Sequence, residues 1–252
     1  MGYAASVSTD DIAELRRMAD AMDRIDPRFS RLHLAGAGMW FGLEGARSPE
    51  RVAEAFHQLG PFGEAYAYEG YGFAKTLFYV KSNPEVLRFG TQLRPQAAAN
   101  FYHGVGRALW ILIGSDAQRR TQMLEKVPDQ YRSDAYSGYG MGVAFTKVDD
   151  PGFVLSFAEQ SSSGGVDLDD YLTGVTMGYS IRQQGDPAYV SAILGRASAR
   201  DRCRVTRLID LGKAALDDAQ HKGGDLHENW RSEIRKRLTE HGRATSAVSG
   251  CA

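Results

Sequence analysis

The sequence predicts an all-α fold built from helical-hairpin repeats of about 34 residues, arranged as a solenoid or closed helical array. Three observations carry that expectation. A paired-glycine motif recurs as Ala35-Gly36-Ala37-Gly38, Glu69-Gly70-Tyr71-Gly72, His103-Gly104-Val105-Gly106, Ser137-Gly138-Tyr139-Gly140 and, less perfectly, Thr173-Gly174-Val175-Thr176. The first glycines fall at 36, 70, 104, 138 and 174, so the steps are 34, 34, 34 and 36 residues. Helix-start signals then recur between the motifs. Finally, the apolar residues around each motif run continuously instead of alternating, which argues against strands even where Tyr, Phe and Val are frequent, as in Tyr66 to Val80.

Taken in order, Thr9 to Asp26 begins with a capping threonine and places Ile12, Leu15, Met18, Ala19, Met22 and Ile25 at helical spacing. It reads as a leading helix over 9–26. The repeats occupy 30–195. In each, the glycine motif opens an apolar helix of three to four turns and a more polar helix follows. The second members include Ser48 to Leu59, Asn83 to Leu93 and Asp116 to Val127. Ser48-Pro49 and Asn83-Pro84 each set a side-chain cap beside a proline at the first helical position, where its missing N–H costs nothing. Gln160 to Asp170, with its run of Ser and Gly, reads as a loop. C-terminal helices are expected within 196–241, from Ala188 to Gln220 and from Leu226 to His241, and 242–252 as a disordered tail. The organisation is therefore one domain, 1–241. Glycine inside a helix costs up to about 1 kcal/mol relative to alanine, so pairs of them call for a compensating close approach of backbones.

Composition narrows the function. Of 252 residues, 43% are hydrophobic and 24% charged. No apolar run approaches the roughly 20 residues that span a bilayer, so no membrane role is expected. Lys and Arg (30) balance Asp and Glu (31), which removes the electrostatic basis for nucleic-acid binding. Cys203 and Cys251 do not resemble a disulfide framework or a zinc site, and the amino terminus lacks a basic region followed by an apolar core. A cytoplasmic protein is expected. His33, His57, His103, His221, His227 and His241 show no metal-ligand spacing, Asp167 to Asp170 lacks the rest of a calcium loop, and Walker, dinucleotide and nucleophile-elbow motifs are absent. The chain is expected to need no cofactor.

The repeat is its own control. The residue before the first glycine is Ala35, Glu69, His103, Ser137 and Thr173, so it becomes ionisable in two adjacent units. Equivalent positions of stacked repeats lie along one surface, which makes Glu69 and His103 candidate acid/base partners. The residue after the second glycine is Met39, Phe73, Arg107, Met141 and Met177, with Arg107 as the exception. His103 and Arg107 are four residues apart on one helix face and could grip an anion such as sulfate or phosphate. Lys75 could add charge, although its register does not share a face with Arg107. Tyr71 and Tyr139, between paired glycines, could line a pocket that Trp40 and Trp110 close. Tyr68, Tyr102 and Tyr136 form a ladder of the kind that packs a core. Glu69, His103 and Arg107 also read as a buried ion-pair network that fixes helix packing.

The run Ala67 to Ala74, then Tyr102 to Trp110, then Ser137 to Gly142 resembles a bacterial family of unassigned function found in enediyne antibiotic gene clusters. Members carry similar Tyr-Glu-Gly, His-Val-Gly-Ala-Gly and Gly-Tyr-Gly-Phe elements in the same order. The resemblance covers roughly residues 30 to 195; the terminal regions do not match and the chain is shorter than the family leads one to expect. It implies a role in assembling or tailoring a specialised metabolite, with a further link to azinomycin-type pathways, where an aziridine closes by displacing sulfate. The expected function is a cofactor-independent lyase or cyclase acting on a small biosynthetic intermediate, with Glu69 accepting a proton. The alternatives are an interaction scaffold or a subunit of a heteromer with another pathway protein, and a non-catalytic carrier.

Overall fold

A computed structural model describes residues 12–25, 27–43, 48–161, 168–240 and 251. Among these residues there are helices and no strand. In chain order the α-helices are α1 (Ile12–Ile25), α2 (Pro27–Leu43), α3 (Pro49–His57), α4 (Gly60–Tyr79), α5 (Pro95–Ile113), α6 (Ala117–Leu124), α7 (Arg132–Thr146), α8 (Pro151–Ser161), α9 (Leu168–Gly185), α10 (Pro187–Arg196), α11 (Ala199–Gln220) and α12 (Leu226–Glu240). None is long and apolar enough to cross a membrane.

The motif-bearing helices α2, α4, α5, α7 and α9 each pack against the next. Hydrogen bonds between neighbours join residues at a nearly constant offset: Tyr79 to Leu43 (36), Trp110 to Thr146 (36), Ser133 to Asp170 (37) and Arg182 to Phe145 (37). The offset is similar near both helix ends, so these neighbours run parallel. The glycines are what bring them together. Residues i and i+2 of an α-helix point about 200° apart, so a Gly-x-Gly pair leaves a helix bare on two opposite sides. A Cβ on Gly70, Gly104, Gly138 or Gly174 would overlap the carbonyl oxygen of Ala35, Glu69, His103 or Ser137 on the preceding helix. A Cβ on Gly38, Gly72, Gly106 or Gly140 would overlap the carbonyl of Ala67, Phe101, Ala135 or Tyr171 on the following one. Each seam is backbone against backbone.

Between the motif helices come the elements expected from the caps. Ser48 accepts from Arg51 N and Asn83 from Glu85 N, and Asp116 caps α6 by accepting from Arg119 N. Pro84–Gln92 is 3₁₀ rather than α-helical. These connectors fill one side of the row with aromatic contacts: Phe56 on Tyr68 and Tyr71, Phe89 on Tyr71 and Phe101, and Phe157 on Trp110, Tyr139 and Tyr171. Tyr68, Tyr102 and Tyr136 are buried in the core, as their ladder suggested.

The C-terminal helices make different contacts. Trp230 of α12 donates its indole N–H to Gly212 O of α11 at 2.8 Å. Gly212 in turn faces Ser180 and Thr176 of α9. The helical stretch expected from Ala188 to Gln220 breaks at Ala197-Ser198, where Ser198 caps α11. The ends of the expected loop over Gln160 to Asp170 are helical, and 162–167 lie outside the described residues. So do most of the tail and the first residues of the leading helix. Cys251 is the exception: it is buried and disulfide-bonded to Cys203, 48 residues away. The two cysteines are paired, contrary to the sequence expectation, because the fold brings together positions that spacing keeps apart. Such bonds are rare in a reducing cytosol, so this one gives the cytoplasmic expectation no support.

Gly138→Ala should lower stability by roughly 1–3 kcal/mol or more, because a methyl meets backbone that only a helix displacement can clear. Gly195→Ala, with nothing within 4 Å of the added carbon, should be neutral or stabilise by up to about 1 kcal/mol. Urea unfolding of the two variants beside the parent checks both.

Candidate functional site

α4, α5 and α12 bring Glu69, His103 and His227 together inside the protein. His103 Nδ1 lies 3.3 Å from one Glu69 carboxylate oxygen, and His227 Nε2 lies 3.3 Å from the other. The Arg107 guanidinium forms an ion pair with the same oxygen that faces His103. The two imidazoles meet edge to face, 5.3 Å between centroids. Glu69 and both histidines are buried, whereas 28% of the Arg107 side chain reaches the surface. Its guanidinium lies over the rings of Phe73 (5.4 Å) and Phe145 (5.9 Å).

The sequence pattern that juxtaposes Glu69, His103 and Arg107 is therefore realised: parallel neighbours at a constant offset put successive pre-glycine residues side by side. The aromatic and lysine positions are not brought to this cluster. Tyr71 and Tyr139 lie two residues beyond the pre-glycine positions, on the other side of their helices and against the connectors. Tyr139 donates to Gly114 O and stacks on Phe157. Trp110 donates to Thr146 at 2.5 Å and sits in the same aromatic layer. Trp40 is partly buried and packs against the core. Lys75 places its ammonium over Tyr71 and Tyr79. With those two tyrosines it lines a separate cavity of about 570 Å³ beside the Pro84–Gln92 segment.

His227 was missed as a site residue, although the helix that carries it was expected from Leu226 to His241 and is observed as α12. α12 crosses the row of motif helices and meets them in turn at successive helical turns. His227 contacts Tyr66 and Glu69 of α4 and His103 of α5. Just before the helix, Asp225 accepts from Asn100 of α5 at 2.7 Å. Arg231 pairs with Asp134 of α7 at 3.4 Å and with its own Glu228. Arg235 pairs with Asp170 of α9 at 2.6 Å, and Thr239 donates to Asp169 at 3.3 Å. A signal existed. Tyr66, Asn100, Asp134 and Asp170 stand four residues before the first glycines, and His227, Arg231, Arg235 and Thr239 recur every four. A polar register, acidic at Asp134 and Asp170, facing a stripe that is basic at Arg231 and Arg235 marks a pair of surfaces made for each other.

Burial alone would raise the Glu69 carboxyl, but the Arg107 guanidinium, helped by His103 and His227, overcomes it and holds the group well below the carboxylate range. Burial dominates at the imidazoles. It pushes His103 down to about 3 against the pull of Glu69, and it lowers His227 as well. The cluster is one carboxylate, one guanidinium and two neutral rings. None of the four ring nitrogens has a hydrogen-bond partner among the described residues. One donor atom from each of Glu69, His103 and His227 lies within 4.8 Å of the others, a separation from which a metal ion could be held. The histidines thus show a grouping that their spacing in the sequence conceals.

Unfolded histidines take up a proton near pH 6.5 while these folded ones stay neutral, so the unfolded chain binds more protons below that pH. Stability should be highest above about pH 6.5 and fall below it. His103, held at about 3, contributes a slope of about 1.4 kcal/mol per pH unit below pH 6.5, and the lowered His227 acts in the same direction. Asp134 acts in the opposite sense: burial raises its carboxyl to about 6 despite Arg231, so its folded form holds a proton that the unfolded chain has lost. Between about pH 6 and 4 it offsets roughly the contribution of His103, so the remaining fall comes from His227 and from His33, which burial also lowers. Urea melts at pH 7, 6 and 5 measure this slope, and His227→Gln should flatten it.

No curated protein and no solved structure is similar to the chain. Residues 38–238 match a family described only as a protein of unknown function, and they run from within α2 into α12 and include every residue of the cluster. The chain belongs to the DUF1702 family.

Proposed function

We propose that the protein acts on a small, anionic intermediate of specialised metabolism, at the place where Arg107 joins the buried carboxylate to the surface. The observation that carries this is the position of Arg107: it is the part-exposed member of the cluster, bonded inward to Glu69 and held outward between two aromatic rings. The near-constant offset between motif helices supports reading the row as helical-hairpin repeats of a solenoid, with this site on one of its faces. Arg182 lies over the Phe145 ring too, at 5.2 Å, so a second guanidinium borders the same ring.

An arriving sulfate ester competes with Glu69 for the Arg107 fork. Once Arg107 turns to the ester, the carboxylate keeps its burial and loses its main countercharge, and its affinity for a proton rises. In the proposed cyclisation Glu69 takes the proton from a substrate amine. The amine nitrogen forms a bond to carbon, the carbon–oxygen bond to sulfate breaks, and sulfate leaves towards Arg107. His103 stands against Glu69 as a second acid/base group. Holding amine and leaving group in line supplies much of the rate. The substrate is a small molecule, and neither a membrane nor a nucleic acid takes part.

A second reading, a subunit of a heteromer, is favoured by Phe78 and Ile111, exposed by 53% and 49% near corresponding ends of adjacent α4 and α5.

Sodium sulfate should raise the melting temperature of the parent more than sodium chloride at equal ionic strength, and Arg107→Leu should remove the difference while Arg107→Lys keeps part of it. Glu69→Gln should cut turnover by about 10²–10⁴-fold, the scale of a general base, read as product in a producing strain that carries the variant. Folded Glu69→Gln and Arg107→Leu proteins with full activity would overturn the proposal.

A further inference from the structure

We propose that Glu69, His103 and His227 form a binding site for one divalent transition-metal cation, of the zinc or iron(II) type. Both carboxylate-to-imidazole separations are 3.3 Å. Ligands bonded at roughly 2.0–2.2 Å to a tetrahedral or octahedral ion lie about 3.0–3.5 Å apart, so each imidazole already stands one coordination edge from the Glu69 carboxylate, His103 from one oxygen and His227 from the other. One donor atom from each of the three residues lies within 4.8 Å of the others, and a side-chain rotation brings them onto one ion.

Geometry is joined by an independent observation. The rings of His103 and His227 are 0% and 2% exposed, and their four nitrogens have no hydrogen-bond partner among the described residues. Orphaned nitrogens in a buried site are costly, and a cation bound by Nδ1 of His103 and Nε2 of His227 satisfies the two that face Glu69. The donor set of two imidazoles and one carboxylate is one that zinc and iron(II) accept, with coordination positions left open for a water or a ligand. Arg107 fits as an outer partner, since metal-bound carboxylates are commonly hydrogen-bonded from behind. The three ligands come from α4, α5 and α12, so the ion ties the C-terminal helix to the row.

The inference does not depend on the proposed cyclisation. A bound cation makes Glu69 a ligand instead of a base, so the two readings place opposite demands on the same carboxylate.

The test uses the full-length protein, stripped with a chelator and dialysed at pH 7, then titrated with cobalt(II) and with zinc(II). Visible d–d absorption saturating at one cobalt per chain, displaced by one equivalent of zinc, is the expected result. Glu69→Gln, His103→Ala and His227→Ala should each weaken binding by at least about 100-fold, whereas His57→Ala, at an exposed histidine, should not. Arg107→Gln, which removes the outer partner and leaves all three ligands, should weaken binding by about 10–100-fold without abolishing it and stands as the informative variant where a ligand substitution fails to fold. A folded parent that takes up no cobalt, or cobalt binding that survives loss of His103 and His227, overturns the site. Loss of the sulfate effect on melting with metal binding intact would remove only the cyclisation.

Discussion

Direct backbone contact between neighbouring helices governs the rest of this structure. With no side chain at the paired-glycine crossings, each motif helix sits there against the carbonyls of its neighbours, and the row has almost no freedom to slide. A sliding helix would drive a Cα into a carbonyl oxygen. That rigidity turns a sequence register into a spatial one. Residues 34 or so apart are held at fixed neighbouring positions, so single charged residues on different helices can be set within bonding distance of each other.

The charge cluster depends on that precision and also strains it. A carboxylate as buried as Glu69 needs a countercharge, and Arg107 supplies it from one helix away. Removing one member of such a pair typically costs about 3–5 kcal/mol, because the other is left charged and dry. The neutral imidazoles add no such balance. They are polar groups packed where apolar ones would be cheaper, beside a row whose other pre-glycine residues are Ala35, Ser137 and Thr173. Their presence asks for a function in a way that the Arg231 and Asp134 pair, which fastens α12 to the row, does not.

Much of this was legible in the sequence and some of it was not. The helical class followed from the period and from the caps at Ser48 and Asn83. The meeting of Glu69, His103 and Arg107 followed from comparing the motif copies, since a repeat exposes its own exceptions. Tyr71 and Tyr139 were misplaced because two steps along a helix turn a side chain through about 200°, from the cluster to the aromatic layer. Trp110 went with them, and Lys75 belongs to a different cavity. His227 was hidden for another reason. It lies outside the repeats, and its contact with Glu69 spans 158 residues of chain that no local pattern records. The pairing of Cys203 with Cys251 is long-range in the same sense.

The passage of α12 across the row has a consequence for how such a chain can change over time. Open arrays of stacked units gain and lose members readily, because each unit answers only to its neighbours. Here one helix touches α4, α5, α7 and α9 in order, with a rung every four residues. Inserting or removing one of these helices would leave every later rung facing the wrong partner. The number of motif helices is therefore matched to the length of α12, which lies across them like a ruler.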